Sequence, residues 1–100
     1  MPTAFFLTRL KPGVKAADYE KWVVQSDYPT AKKMNSIRSY KVHRINGAFE
    51  GQKKYDYIEV IEFTDLQSYT KDLGSAEGKK LLAEWANYIG ENHAVHGEAF

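Results

Sequence analysis

The chain has 100 residues, of which 43% are hydrophobic, and its formal net charge at pH 7 is +1. This length and composition predict a single domain over residues 1–100, and the interspersed charges argue against a nucleic-acid-binding surface. The chain has no cysteine, which excludes disulfides, thiolate nucleophiles and Cys-based metal sites and fits a reducing, cytoplasmic location.

The apolar segments are short. None approaches the roughly 20 residues that a membrane-spanning helix needs, and the run near the N-terminus is too short for a signal peptide. We therefore expect neither a membrane nor a nucleic acid as a partner.

The first half of the chain predicts a strand, a helix and a second strand. Aromatic and aliphatic residues from Thr3 to Leu10 form the first strand. After Val14, apolar residues recur every three or four positions, as in an amphipathic helix. Pro29 breaks this helix near Asp27, because proline lacks an N–H group and restricts the residue before it. The second strand runs from Ser36 to Ile45.

The second half predicts a hairpin, two helices and a final strand. A polar loop precedes a third strand from Tyr55 to Phe63. Thr64-Asp65 caps a short helix that stops at Gly74. Ser75 caps the next helix, whose apolar positions continue to Ile89 and which Gly90 closes, and the last strand is Ala94 to Phe100.

This βαββαβ order predicts an α+β, ferredoxin-like fold with a four-stranded antiparallel sheet and helices on one face. The second face of the sheet needs a cover. We expect that face to carry Phe5 or Phe6 together with Tyr57, Ile61 and Phe63, and to be covered by a second copy of the chain, as a homodimeric α/β barrel. Pockets are expected between sheet and helices or at the dimer interface.

One residue of the third strand is unusual for its position. Read with period two, Glu59 shares a face with Tyr57, Ile61 and Phe63. Burying a carboxylate among apolar side chains is costly unless the charge is paired. Glu59 is therefore either exposed to water or held in a pocket for a reason.

The hairpin suggests neighbours for Glu59. If the loop centres near Glu50, His43 lies opposite Tyr57 and Lys41 lies opposite Glu59. Such a group could bind a ligand through Lys41 and Tyr57 and transfer protons through His43 and Glu59. A cross-strand salt bridge between Lys41 and Glu59, with His43 as packing, explains the same pattern.

Three further residues are candidates near a pocket. Asp27 follows the helix, and the break at Pro29 could aim its carboxylate inward, although Asp and Pro are also common at turns. Tyr28, the next residue, is a candidate for binding a ligand at the same place. Arg9, at the end of the first strand, could bind an anionic or carbonyl group, or could be an ordinary solvated strand end.

Neither a metal nor a cofactor is expected. His93 and His96 are three residues apart, which on a strand points them to opposite faces. The two glycines in the hairpin, Gly47 and Gly51, lack the strand–helix context of a phosphate-binding loop.

Several segments carry a family likeness: Leu7–Val14, Asp18–Trp22, Asp27–Ala31, Ser39–Arg44 and Tyr55–Glu62. Together they resemble the RedY-like/HapK family, and the likeness runs from about Phe5 to Tyr69. It implies a dimeric α/β barrel protein of bacterial secondary metabolism, linked to prodiginine-type tripyrrole pigments and acting without a cofactor. The matching positions are Asp27, Tyr28, His43, Tyr57 and Glu59.

The resemblance implies a protein that binds an aromatic, pyrrole-like intermediate and assists its condensation or tautomerisation, as a condensing or cyclase-like enzyme. Three alternatives remain open. The protein could bind the intermediate without catalysis, could be a cofactor-free monooxygenase of the antibiotic-biosynthesis type, or could be a purely structural dimer.

Overall fold

The structure, a computed structural model, describes residues 1–100. It confirms the α+β, ferredoxin-like fold and the βαββαβ order. None of its helices combines the length and the apolar character needed to cross a membrane. The elements are β1 (Pro2–Leu10), α1 (Ala16–Trp22), a π-helical segment (Val23–Asp27), α2 (Tyr28–Lys32), β2 (Ile37–Arg44), β3 (Tyr57–Phe63), α3 (Leu66–Leu73), α4 (Ala76–Trp85) and β4 (Ile89–Glu98).

The four strands form one antiparallel sheet in the order β2-β3-β1-β4. Its two faces differ in cover. We call the side on which the helices lie the helix face and the other the open face. The helix face presents Ala4 and Thr8 of β1, both buried, beside alternate residues of β3. Side chains of the open face include Phe5, Leu7, Ile58, Val60 and Val95.

The prediction of which residues lie on the uncovered sheet face is wrong. Tyr57, Ile61 and Phe63 lie on the helix face, where the exposed fractions of these residues are 2%, 6% and 1% within one chain. The apolar stripe of the first helical region packs there, with Tyr19 against Tyr57 at 4.8 Å between ring centroids. A second copy is therefore not needed to bury these residues, and the face left without a cover is the open face.

The boundary between α4 and β4 also differs from the prediction. The helix ends at Trp85, and the strand begins at Ile89, which pairs with Leu10 of β1. The strand takes residues assigned to the helix because pairing with β1 satisfies their backbone groups. Gly90 does not close the helix but lies at the start of the strand, where a Cβ would come within 3.2 Å of Lys11 Cα.

Both predicted caps of the later helices are confirmed. The Asp65 carboxylate accepts a hydrogen bond from the Ser68 backbone N–H at 2.7 Å, and the Ser75 hydroxyl accepts one from the Gly78 N–H at 3.1 Å. These caps satisfy N–H groups that the first turn of a helix leaves free. They set where α3 and α4 start above the sheet.

Candidate functional site

A cavity of about 140 Å³ lies between the sheet and the helices. Eleven of its fourteen lining residues are hydrophobic, and the three others are Asp27, Glu59 and Asn92. An apolar pocket with a few convergent polar groups is the usual form of a small-molecule site. The cavity is therefore the candidate functional site.

The π-helical segment places Asp27 in the cavity wall. In this segment the backbone N–H of Tyr28 bonds to the carbonyl oxygen of Val23, five residues earlier. The extra residue per turn rotates the chain, and Pro29 follows without an N–H to continue the α-helical pattern. As a result Asp27 is turned inward and only 3% of it is exposed.

Glu59 reaches the cavity from the centre of β3 and is 5% exposed. Its Oε1 lies 2.7 Å from the hydroxyl of Tyr40 on β2, and its Oε2 accepts a hydrogen bond of 3.1 Å from the indole N–H of Trp85 on α4. The carboxyl group is thus held at both oxygens by side chains from a neighbouring strand and from a helix.

The Tyr40 hydroxyl joins the two carboxyl groups. It lies 2.5 Å from Asp27 Oδ2 and 2.7 Å from Glu59 Oε1. A phenol has one proton and can donate it to only one acceptor. Both contacts are hydrogen bonds only when one carboxyl group carries a proton and donates it to the Tyr40 oxygen. The geometry of the Asp27–Tyr40–Glu59 network therefore favours one shared extra proton.

The pKa values of the network agree with that geometry. Burial raises the pKa of Glu59 to about 7, with a further rise from the Asp27 charge, against the opposing hydrogen bonds of Tyr40 and Trp85. Burial likewise raises the pKa of Asp27 to about 6. Burial and the two carboxylates keep the pKa of Tyr40 well above its usual value. Near neutral pH the site can therefore both accept and supply a proton.

The sheet register separates the predicted cluster of Lys41, His43, Tyr57 and Glu59. The predicted pairing is wrong by one residue, because Val42 lies opposite Glu59 and His43 lies opposite Ile58. A slip of one residue moves every side chain of a strand to the other face. Lys41 and His43 accordingly belong to the open face, and neither lines the cavity around Glu59.

Tyr57 stays on the helix face, outside the cavity wall. Its ring packs in the core, and its hydroxyl donates a 2.6 Å hydrogen bond to Glu20, which also pairs with Arg44. These two hydrogen bonds lower the pKa of Glu20 to about 2. The contacts of Tyr57 are structural in this chain.

Arg9 and Tyr28 lie away from the cavity. The Arg9 guanidinium donates to the Lys54 carbonyl oxygen at 2.9 Å, near the end of the β2–β3 loop. The Tyr28 hydroxyl accepts a 2.8 Å hydrogen bond from the Val42 backbone N–H, and its ring meets that of Tyr40 edge-on at 5.2 Å. Tyr28 therefore packs against Tyr40 of the network but does not line the cavity.

Sequence reasoning missed Tyr40, Trp85 and Asn92. The alternation of β2 places Tyr40 on one face with Val42. Because the predicted β2–β3 register was wrong by one residue, that face was not expected to be the one that carries Glu59. Trp85 has the helical spacing of a core residue, and nothing in the sequence shows that its N–H points to Glu59. Asn92 fell in a region not assigned to a strand.

Comparison with known proteins gives the same fold and a family. The family model described as REDY-like protein HapK matches residues 2–100, so the likeness extends beyond Tyr69. The crystal structure of HapK from Hahella chejuensis is 27% identical, with a TM-score of 0.86, and the match covers 100% of this chain and 93% of that one. No curated protein gave a significant match.

More distant structures share the fold alone. An EthD family protein from Bacillus halodurans is 20% identical over 100% of both chains, with a TM-score of 0.78. A dimeric ferredoxin-like protein of unknown function from Thermobifida fusca is 16% identical, with a TM-score of 0.78, over 98% of this chain and 90% of that one.

Proposed function

This chain belongs to the family of REDY-like HapK proteins, and from that premise we propose that it binds an aromatic, pyrrole-like intermediate and moves protons on it. The proposal places the chemistry in the cavity between sheet and helices. It needs no cofactor, since the groups that transfer protons are side chains of the chain itself. We propose a pathway of the prodiginine type on the family relationship alone.

One observation carries the proposal: two buried carboxyl groups share a hydroxyl inside an otherwise apolar cavity. Burying carboxylates is expensive for the folded state, and hydrophobic residues of similar volume would fill the same space at lower cost. Asp27 and Glu59 therefore lie where a ligand bound in the cavity would contact them.

The cavity dimensions suit a single ring. An apolar cavity of about 150 Å³ in another protein holds benzene, and this cavity measures about 140 Å³. The rings of Phe6, Tyr40 and Trp85 line it and can contact a planar ligand by stacking or edge-on packing. A ring N–H would find an acceptor in the carboxylate form of Glu59 or Asp27.

The network supports a tautomerisation that balances without an external partner. The ionised carboxylate takes a proton from one ring atom of the ligand, and the protonated carboxyl group delivers its own proton to another ring atom. Glu59 has the higher pKa and starts protonated, so the reaction leaves a proton on Asp27. Tyr40 lies between the two groups, so this proton can pass from Asp27 through the Tyr40 hydroxyl to Glu59 and restore the starting state. In a condensation with a pyrrole carboxaldehyde, the protonated carboxyl group protonates the carbonyl oxygen as the carbon of the second pyrrole attacks, and the carboxylate takes the proton that this carbon loses. The hydroxyl group so formed leaves as water when the same groups supply one proton to it and accept the ring N–H proton.

The test uses the protein with defined precursors. Incubating the wild-type chain with pyrrole-2-carboxaldehyde and with 2,2′-bipyrrole-5-carboxaldehyde, each with a second pyrrole, is expected to change the rate or distribution of products. Glu59→Gln and Asp27→Asn should lower that effect by about 100-fold, a typical general acid–base contribution. No effect of the wild-type protein on any precursor would contradict an enzymatic role.

A matched control comes from the same strand. Glu62 lies three residues from Glu59, is exposed, and accepts a hydrogen bond from Ser39, so Glu62→Gln should leave product formation unchanged. If Glu59→Gln and Asp27→Asn also leave it unchanged while the ligand still binds, the protein is a binding module that shields the intermediate.

We also propose a homodimer formed through the open face. Phe5, Leu7, Ile58 and Val60 give that face an apolar centre, and Val95 extends it with half of its surface exposed. Apolar patches of this kind mark contacts between subunits. Structural neighbours from Thermobifida fusca and Bacteroides fragilis are described as dimeric, which supports the proposal. A cytoplasmic location fits the absence of cysteine.

A further inference from the structure

The cavity has its mouth beside β4. Most of its lining residues are buried or half-buried, and the two exposed ones are Leu82 of α4 and Asn92 of β4. Leu82 has 43% of its surface exposed although it lines the cavity. A ligand in the cavity would therefore leave through the gap between α4 and β4.

A strip of strand continues from that mouth without a cover. Residues of β4 on the helix face include Asn92, Ala94 and His96, which pair with Thr8, Phe6 and Ala4 of β1. All three are exposed, whereas Thr8 and Ala4 across the ladder are buried. The helix layer thus stops short of β4. We call Asn92, Ala94 and His96 the β4 strip.

The strip is shaped to receive part of a ligand. From Asn92 to His96 it spans about 13 Å at the usual rise of an antiparallel strand. Neither the Asn92 amide nor the His96 imidazole makes a side-chain hydrogen bond or ion pair within the chain. Ala94 between them is small and leaves space above the strand. The strip also faces away from the open face, so the proposed dimer would leave it free.

We infer that the ligand is an elongated molecule of at least two linked aromatic rings, with one ring in the cavity and the next lying along the β4 strip. This inference rests on the proposed function and extends it. The cavity has room for one ring only, and its mouth leads directly onto the strip. Ala94 and His96 then select for the second ring, and Asn92 contacts the ligand where it crosses the mouth.

Two probes separate the two parts of the site. Pyrrole fits the cavity alone, and 2-phenylpyrrole adds one ring where the strip begins. Titration of the wild-type chain by NMR is expected to show 2-phenylpyrrole binding about tenfold more tightly than pyrrole, which corresponds to about 1.4 kcal/mol for the additional aromatic contact.

Variants of the strip test the assignment. Ala94→Trp fills the space above the strand and should remove the tenfold preference while leaving the Kd of pyrrole within about twofold. His96→Ala should also reduce the preference for 2-phenylpyrrole over pyrrole. Glu98→Trp places the same bulky side chain farther along the same face, opposite Pro2, and should keep the preference.

The outcomes distinguish the two proposals. If pyrrole binds in the cavity but the wild-type chain shows no preference for 2-phenylpyrrole, or if Ala94→Trp keeps it, the strip is not part of the site and the proposed function stands. If neither probe binds to the wild-type chain, both proposals are contradicted. Loss of the preference in Ala94→Trp with pyrrole binding unchanged supports both.

Discussion

At the scale of the residue, the candidate site depends on the carboxyl group of Glu59, which occupies a buried position that an apolar side chain would normally fill. The alternation of β3 was enough to show that Glu59 shares a face with core residues, so its unusual position could be predicted from the sequence. Its partners could not. The contacts of Tyr40 and Trp85 depend on the strand register and on how α4 lies over the sheet, which local patterns do not determine.

The raised pKa of Glu59 predicts a specific dependence of stability on pH. The folded state holds the proton up to about pH 7, whereas the unfolded chain releases it near 4.5. The folded state therefore binds more protons between these values, and the contribution of Glu59 to stability falls as pH rises through that window. In Glu59→Gln the side chain is neutral at every pH, so this variant should not lose stability in this way as the pH rises.

The measurement is urea unfolding of both proteins at pH 5 and pH 8. Relative to wild type, Glu59→Gln should gain roughly 1–3 kcal/mol of unfolding free energy on going from pH 5 to pH 8. The exposed control Glu62→Gln should show no comparable gain. An unfolding free energy of Glu59→Gln that follows the wild-type pH dependence would mean that the Glu59 pKa is not raised.

A second residue-scale prediction concerns a buried hydroxyl. Thr8 has no exposed surface, and its Oγ1 has no hydrogen-bond partner. An unpaired buried hydroxyl destabilises the folded state, so Thr8→Val should raise the unfolding free energy by about 1 kcal/mol. Thr64→Val is the control, because the Thr64 hydroxyl contacts Asp65 at 3.2 Å and its loss should bring no gain. A less stable Thr8→Val protein would contradict this reading.

At the scale of the element, the π-helical segment and the β2–β3 register decide which side chains meet. The break at Pro29 could be predicted, and it does turn Asp27 inward. The register could not be predicted, because it depends on the conformation of a long exposed loop between Ile45 and Asp56, whose ends pair through a 2.8 Å backbone hydrogen bond. The predicted register was wrong by one residue, so Lys41 was predicted opposite Glu59, whereas Val42 lies there.

The contact between α3 and α4 gives an element-scale prediction. A Cβ added at Gly78 would lie 2.3 Å from the Asp72 carbonyl oxygen, whereas one added at Gly74 would lie 3.5 Å from its nearest neighbour. Gly78→Ala should therefore push α4 away from α3 and destabilise the chain by about 1–3 kcal/mol.

Gly74→Ala serves as the matched control, since its φ of −83° is open to any residue and its added Cβ makes ordinary contacts. Thermal unfolding followed by circular dichroism measures both variants. Equal melting temperatures for the two alanine variants would show that the close approach at Gly78 is not maintained in solution.

At the scale of the whole molecule, the helices cover one face of the sheet and leave the other face uncovered within one chain. The fold and its family could be predicted from element order and from sequence likeness. Which face stayed open could not, because apolar residues alternate onto both sides of β1 and β3 and the sequence pattern does not show which side the helices take.

The proposed homodimer predicts the effect of a charge on the open face. Val60→Asp places a carboxylate at the centre of that face and should convert the dimer to a monomer in sedimentation velocity, because an unpaired charge in an interface is not compensated. Leu66→Asp is the control, since Leu66 is half exposed on α3. A wild-type chain that sediments as a monomer would contradict the dimer.

The central claim is that the cavity around Glu59 is the ligand site. The most direct measurement is an NMR titration of the wild-type chain with pyrrole, observed at the indole N–H of Trp85, which bonds to Glu59 Oε2. At pH 8, where Glu59 is ionised, we expect this signal and the methyl signals of Met34 and Leu81 to shift together. Glu59→Gln should then weaken binding by about tenfold, the loss of one charge-assisted hydrogen bond. Saturable shifts confined to other parts of the chain, with the Trp85 signal unmoved, would contradict the claim.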